Sequence, residues 1–222
     1  MPYSFKGPAL ADLVLQVSLV SVVVAGVVGA VRFRNLPHHL RYLVGLIAFA
    51  LLMEVVSRAQ AISNQSNLFL FYLDTSVEFG LLAWMYRQVL RPSRLSRWIP
   101  AVVAIFSLAS LLPYLGPASL SQFNTFQRFA ESLLVLGLVL AYFYKTIREL
   151  LIIHLEREPM FWVSVGLLLY FSGNVFIFIS SNYVIQHSRA LSIKMWAIHA
   201  LLYIILNALY AVALWISPSS KK

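Results

Sequence analysis

Seven predominantly apolar runs, each close to the roughly 20 residues a helix needs to cross bilayer hydrocarbon, divide the chain at 9–32, 40–62, 68–90, 98–116, 121–146, 161–183 and 194–216. The pattern predicts an all-α fold: a polytopic membrane protein whose residues 1–222 form a single seven-transmembrane-helix bundle. Proline supports the boundaries. Pro100 is expected in the first turn of the fourth helix and Pro159 just before the sixth, where a missing N–H costs nothing; Pro113 and Pro117 close the fourth. Trp98, Trp162, Trp196 and Trp215 fall at predicted helix ends, where amphipathic rings anchor in the membrane interface. The first run is expected to stay as a helix, since its apolar core is too long for a signal peptide and Arg32 and Arg34 follow it. Between Lys145 and Glu158 the run becomes amphipathic, with Ile147, Leu150, Leu151, Ile153 and Leu155 among charges, so the fifth helix is expected to continue along the interface.

Composition strengthens the membrane reading. The chain is 60% hydrophobic and 11% charged, with a mean hydropathy of +0.80. That leaves no room for a soluble kinase, nucleotide-binding or nucleic-acid-binding domain. The net charge of +9 points to topology instead of nucleic acid, because the basic residues sit in short loops. Twelve of the 17 Lys and Arg residues fall on one side, at Arg32, Arg34, Arg41, Arg87, Arg91, Arg94, Arg97, Lys145, Arg148, Arg157, Lys221 and Lys222. The positive-inside rule then places the amino terminus outside and the carboxyl terminus in the cytoplasm, in a bacterial cytoplasmic (inner) membrane. The chain has no Cys, so disulfides and thiolate metal sites are excluded. No interior Pro breaks a predicted span and no pair of interrupted helices repeats between the halves, which disfavours an inverted-repeat transporter.

The candidate chemistry lies in polar residues within the apolar runs, where a charge at the bilayer centre costs about 2.5 to 3.5 kcal/mol on insertion scales. The second run carries Glu54 and Arg58, and the third carries Asp74 and Glu78, each pair one helical turn apart on one face. The fifth brings Arg128 and Glu131, the sixth Asn174, and the seventh His199, Tyr203 and Asn207. At 1.5 Å per residue all of these fall at or above the midplane. One shared pocket, opening outward between five helices, is the arrangement that keeps them from lipid, with Asp12 and Gln16 at its rim. Glu78 is expected at the centre, with Asp74 tuning it or answering Arg58. His38 and His39 are expected to be solvated loop residues.

Four acids against two arginines leave two negative charges in excess. Protonation would answer them. So would a divalent metal, zinc or iron, held by Glu54, Glu78, Glu131 and His199, or a cationic ligand against Tyr72, Tyr170 and Tyr203.

The stretches Phe161-Trp162, Gly166, Tyr170 to Asn174 and Trp196 to His199, with Asn207, resemble a family of small seven-helix membrane proteins of Bacteroidetes-type bacteria. Glu54, Glu78, Arg128 and Glu131 also resemble that family's pattern. The resemblance implies site residues and no activity. Microbial rhodopsins share the topology but need a Lys in mid-helix for retinal, and Lys194 lies at the rim, so no retinal is expected. Ceramidase and adiponectin-receptor hydrolases share it with an intramembrane zinc held by three His, whereas this chain offers one His plus carboxylates. The expected function is a sensing or binding module that takes a small ligand or divalent cation and signals to a cytoplasmic or membrane partner. A metal-dependent intramembrane hydrolase is the alternative, with a proton-coupled transporter third.

Overall fold

Long uninterrupted apolar segments with no other way to satisfy their backbone groups in hydrocarbon become helices, and the computed structural model, which describes residues 9–62, 68–111, 125–149 and 154–218, bears this out. Among the described residues there are seven α-helices and no strand: α1 Ala9–Arg32, α2 His38–Ile62, α3 Leu68–Val89, α4 Arg94–Leu111, α5 Thr125–Glu149, α6 Pro159–His187 and α7 Arg189–Ile216. Five of them, α1, α2, α5, α6 and α7, are long and apolar enough to cross a membrane.

The packing order is a closed ring with one helix outside it. α1 packs on α2 and α7, α7 on α6, α6 on α5, α5 on α3, and α3 on α2; α4 leans on α3 through a T-shaped contact of Phe79 with Phe106, ring centroids 4.7 Å apart. The interior is filled by Phe79, Leu82, Tyr86, Val139, Leu167, Phe171, Leu206 and Leu214. The exterior is apolar too. On α5 the residues Phe126, Leu133, Leu140 and Ile147, spaced by sevens, are exposed, while Arg128, Glu131, Ser132, Val135 and Tyr142 face inward. A helix that shows Leu to its surroundings and hides an arginine and a glutamate inside has the polarity that lipid demands. Close approach of α6 and α7 uses Gly166: a Cβ there would stand 3.1 Å from Leu206 Cδ1 and 3.3 Å from Leu209 Cβ.

Helix ends show which way the elements run. Arg32, closing α1, donates to the Ser217 carbonyl just past α7 at 2.6 Å. Lys145, near the end of α5, donates to the carbonyls of Val89 and Arg91 at the end of α3, at 2.9 and 2.8 Å. The odd-numbered helices therefore finish at one pole, and the arginines after α1 and α3 gather there.

Several boundaries move from their expected places. α4 starts at Arg94 instead of residue 98, because Ser93 Oγ accepts from the Ser96 N–H at 3.1 Å and caps a first turn that hydropathy does not see. Pro100 consequently lies inside α4 and not in its first turn, so one helix does carry an interior proline. α6 and α7 are separated by Ser188 alone, which ends one helix in extended backbone and caps the next by accepting from the Leu191 N–H at 3.3 Å. Pro159 occupies the first turn of α6, where its missing N–H is harmless. Of the amphipathic stretch after Lys145, Leu150, Leu151 and Ile153 lie outside the described residues, as do Pro113 and Pro117.

Candidate functional site

Four of the expected residues meet at one point. Arg128 and Glu131, three apart, share the inward face of α5, and Asp74 and Glu78, four apart, share the face of α3 that packs against it. Arg128 Nη1 donates to Glu78 Oε2 at 2.7 Å and to Glu131 Oε2 at 3.0 Å, while Nη2 bonds Asp74 Oδ2. The planar fork of a guanidinium, with five N–H donors, suits several carboxylates at once. Ser132 Oγ donates to the Arg128 carbonyl at 2.7 Å and steadies that turn.

Access to the cluster is graded. The Glu131 side chain is 0% exposed and Arg128 9%, whereas Glu78 is 18% and Asp74 25% exposed. The α3 carboxylates are therefore the more accessible members of the cluster and Glu131 the most enclosed. Three carboxylates on one guanidinium carry two surplus negative charges when ionised. The second oxygen of Glu131, Oε1, is buried with no hydrogen-bond partner, and a buried carboxylate oxygen without a donor is costly to keep charged.

A second polar centre lies between α6 and α7. His199 Nδ1 is 2.9 Å from Asn174 Oδ1. With the amide oxygen accepting, Nδ1 carries the hydrogen and Nε2 is the basic nitrogen of the ring. Tyr170, Phe178 and Trp196 surround the imidazole with ring centroids 5.6, 5.8 and 5.5 Å away. Asn174 is fully buried, and its Nδ2 has no hydrogen-bond partner. Tyr170 joins the two centres: its ring lies 6.0 Å from that of Tyr203, and it sits in electrostatic range of Glu78, Arg128 and Glu131.

The remaining expected residues fall around these centres. Glu54 on α2 is half-buried and within electrostatic range of Tyr203. Asn207 spends its Nδ2 on the Tyr203 carbonyl one turn back, at 2.9 Å, and so braces its own helix. Asp74 answers Arg128; the Arg58 side chain lies outside the described residues, as does that of Asp12. Gln16 and His38 are exposed and His39 is half-buried. Among the described residues no three His, Asp or Glu side chains are grouped as a metal ion would need. Glu78 and Glu131 are turned onto Arg128, and His199 onto Asn174.

Two features escape the sequence reading. Trp196 is an aromatic neighbour of His199 and lies two turns inside α7 instead of at its end, because the helix begins at Arg189. At the other pole Tyr86 and Ser164, both fully buried, share a 2.8 Å hydrogen bond between α3 and α6. A tyrosine with a serine in an antiparallel partner is a weak signal, since nothing in the spacing pairs them.

No protein-family model matches this chain, and no curated protein or solved structure is significantly similar to it. The site's chemistry is therefore the ground for a functional reading.

Proposed function

We propose that this is a seven-span integral membrane binding module whose polar cluster takes a small cation and reports its binding to a separate partner. The observation that carries this reading is the imbalance at Arg128: three carboxylates answer one guanidinium, and one buried Glu131 oxygen has no donor. A cation arriving past the more exposed Asp74 and Glu78 would gain Coulomb attraction that a low-dielectric site strengthens, and Tyr170 and Tyr203 offer aromatic faces to it. The excess of basic residues at the opposite pole supports an outside amino terminus and, with it, a cluster in the outer half. Signalling would run through α3 and α5, which hold the cluster and meet again at the basic pole through Lys145.

A metal-dependent hydrolase would need Glu54, Glu78, Glu131 and His199 to gather on one ion, and the grouping of the described residues gives that reading less support. Trp196, packed on His199, provides the test. Purified protein titrated with zinc, manganese or tetramethylammonium should show a saturable change in tryptophan emission with at least one of them. A Glu78→Gln/Glu131→Gln variant should not. Identical traces for both proteins with all three cations would reject the proposal.

A further inference from the structure

The turn between α3 and α4, at the pole opposite the carboxylate cluster, borders an open cleft of about 440 Å³. Arg87, Arg91, Arg94 and Arg97 line it together with Ser93 and Ser96, and among the described residues no carboxylate does. Topology explains why basic residues lie at this pole; it does not by itself bring four of them around one cleft. The carbonyls ending α3 would present the negative end of a helix dipole here, but Lys145 Nζ takes those of Val89 and Arg91. The helix that starts at the cleft, α4, instead offers the positive end of its dipole, and Ser93 caps it through the Ser96 N–H. Arg87 is held by stacking on Trp84, with its guanidinium carbon 4.9 Å from the ring centroid, and its Nε is buried with no hydrogen-bond partner.

We infer that this cleft binds a phosphate group, with the headgroup of an anionic phospholipid as its source. Guanidinium forks match phosphate oxygens in pairs, and basic pockets at helix ends receive such headgroups. The depth agrees. Trp98, one turn into α4 and 68% exposed, is the kind of ring that anchors at the headgroup level. This inference stands apart from the cation reading, because no residue lining the cleft belongs to the carboxylate cluster.

The test counts lipid retained by purified full-length protein in neutral detergent, using native mass spectrometry with phosphatidylglycerol or phosphatidylcholine, while a parallel arm titrates inorganic phosphate. Wild type should retain phosphatidylglycerol over phosphatidylcholine. Arg91→Gln/Arg94→Gln should weaken that retention by about fivefold for each charge removed. Arg34→Gln/Arg157→Gln, which removes the same charge from exposed positions outside the cleft, should leave it unchanged. Inorganic phosphate that binds saturably, displaces the lipid and fails with the Arg91/Arg94 variant supports the same phosphate site with a soluble source. Equal losses in the two double variants would show bulk charge alone and overturn the inference, as would no loss in either.

Discussion

Glu78 on α3 and Arg128 on α5, 50 positions apart in the chain, meet at 2.7 Å inside the bundle. The same guanidinium also holds Asp74 and Glu131, so one base serves three acids. Removing the base and removing an acid should then have opposite consequences for the fold.

Arg128→Gln leaves three carboxylates facing one another without a cation on them. Loss of one partner from a buried ionic network costs about 3 to 5 kcal/mol, and the variant is expected to unfold at markedly lower denaturant or temperature in detergent. Arg128→Lys should recover only part of this, because an ammonium lacks the planar fork that reaches Glu78, Glu131 and Asp74 together.

Glu131→Gln keeps the shape of the buried side chain and relieves one surplus charge. Its thermal midpoint should equal or exceed that of wild type in the absence of ligand. A loss as large as that of Arg128→Gln would show that the cluster is a balanced structural network and not a site with charge in excess.

Asn174 and His199 form the hydrogen bond joining α6 to α7 at the second centre. A double-mutant cycle of Asn174→Ala and His199→Ala should return a coupling energy of about 0.6 to 2 kcal/mol, the range for interhelical side-chain bonds in membranes. A coupling near zero would mean that the two side chains act independently.

Tyr86→Phe keeps the buried ring and deletes its bond to Ser164. It should cost on the order of 1 kcal/mol, and adding Ser164→Ala should cost little more, because the second change then removes a hydroxyl that has already lost its partner. Additive losses in equilibrium unfolding would contradict the pairing.

The sequence was most informative where an apolar run and a helix coincide. α1 ends at Arg32 as expected, and α3 stops at Val89, one residue short of the predicted end. It was least informative at polar helix ends. The first turn of α4 is set by the Ser93 cap and the junction of α6 with α7 by Ser188, both local hydrogen bonds that hydropathy cannot register. The same division holds at the site. Spacings of three and four placed Arg128 with Glu131 and Asp74 with Glu78 on common faces, because helical periodicity is a property of one segment. Partner choice across helices is a property of the ring order, in which α5 lies against α3. That order is why Asp74 pairs with Arg128, and it could not be read from the chain.

The most direct test of the central claim is calorimetric titration of zinc, manganese and tetramethylammonium into detergent-solubilised wild type and Glu78→Gln/Glu131→Gln protein. Single-site binding of at least one cation to wild type is expected, weakened about tenfold or more in the variant, which corresponds to about 1.4 kcal/mol. Binding of equal strength to both proteins, or to neither, would contradict it.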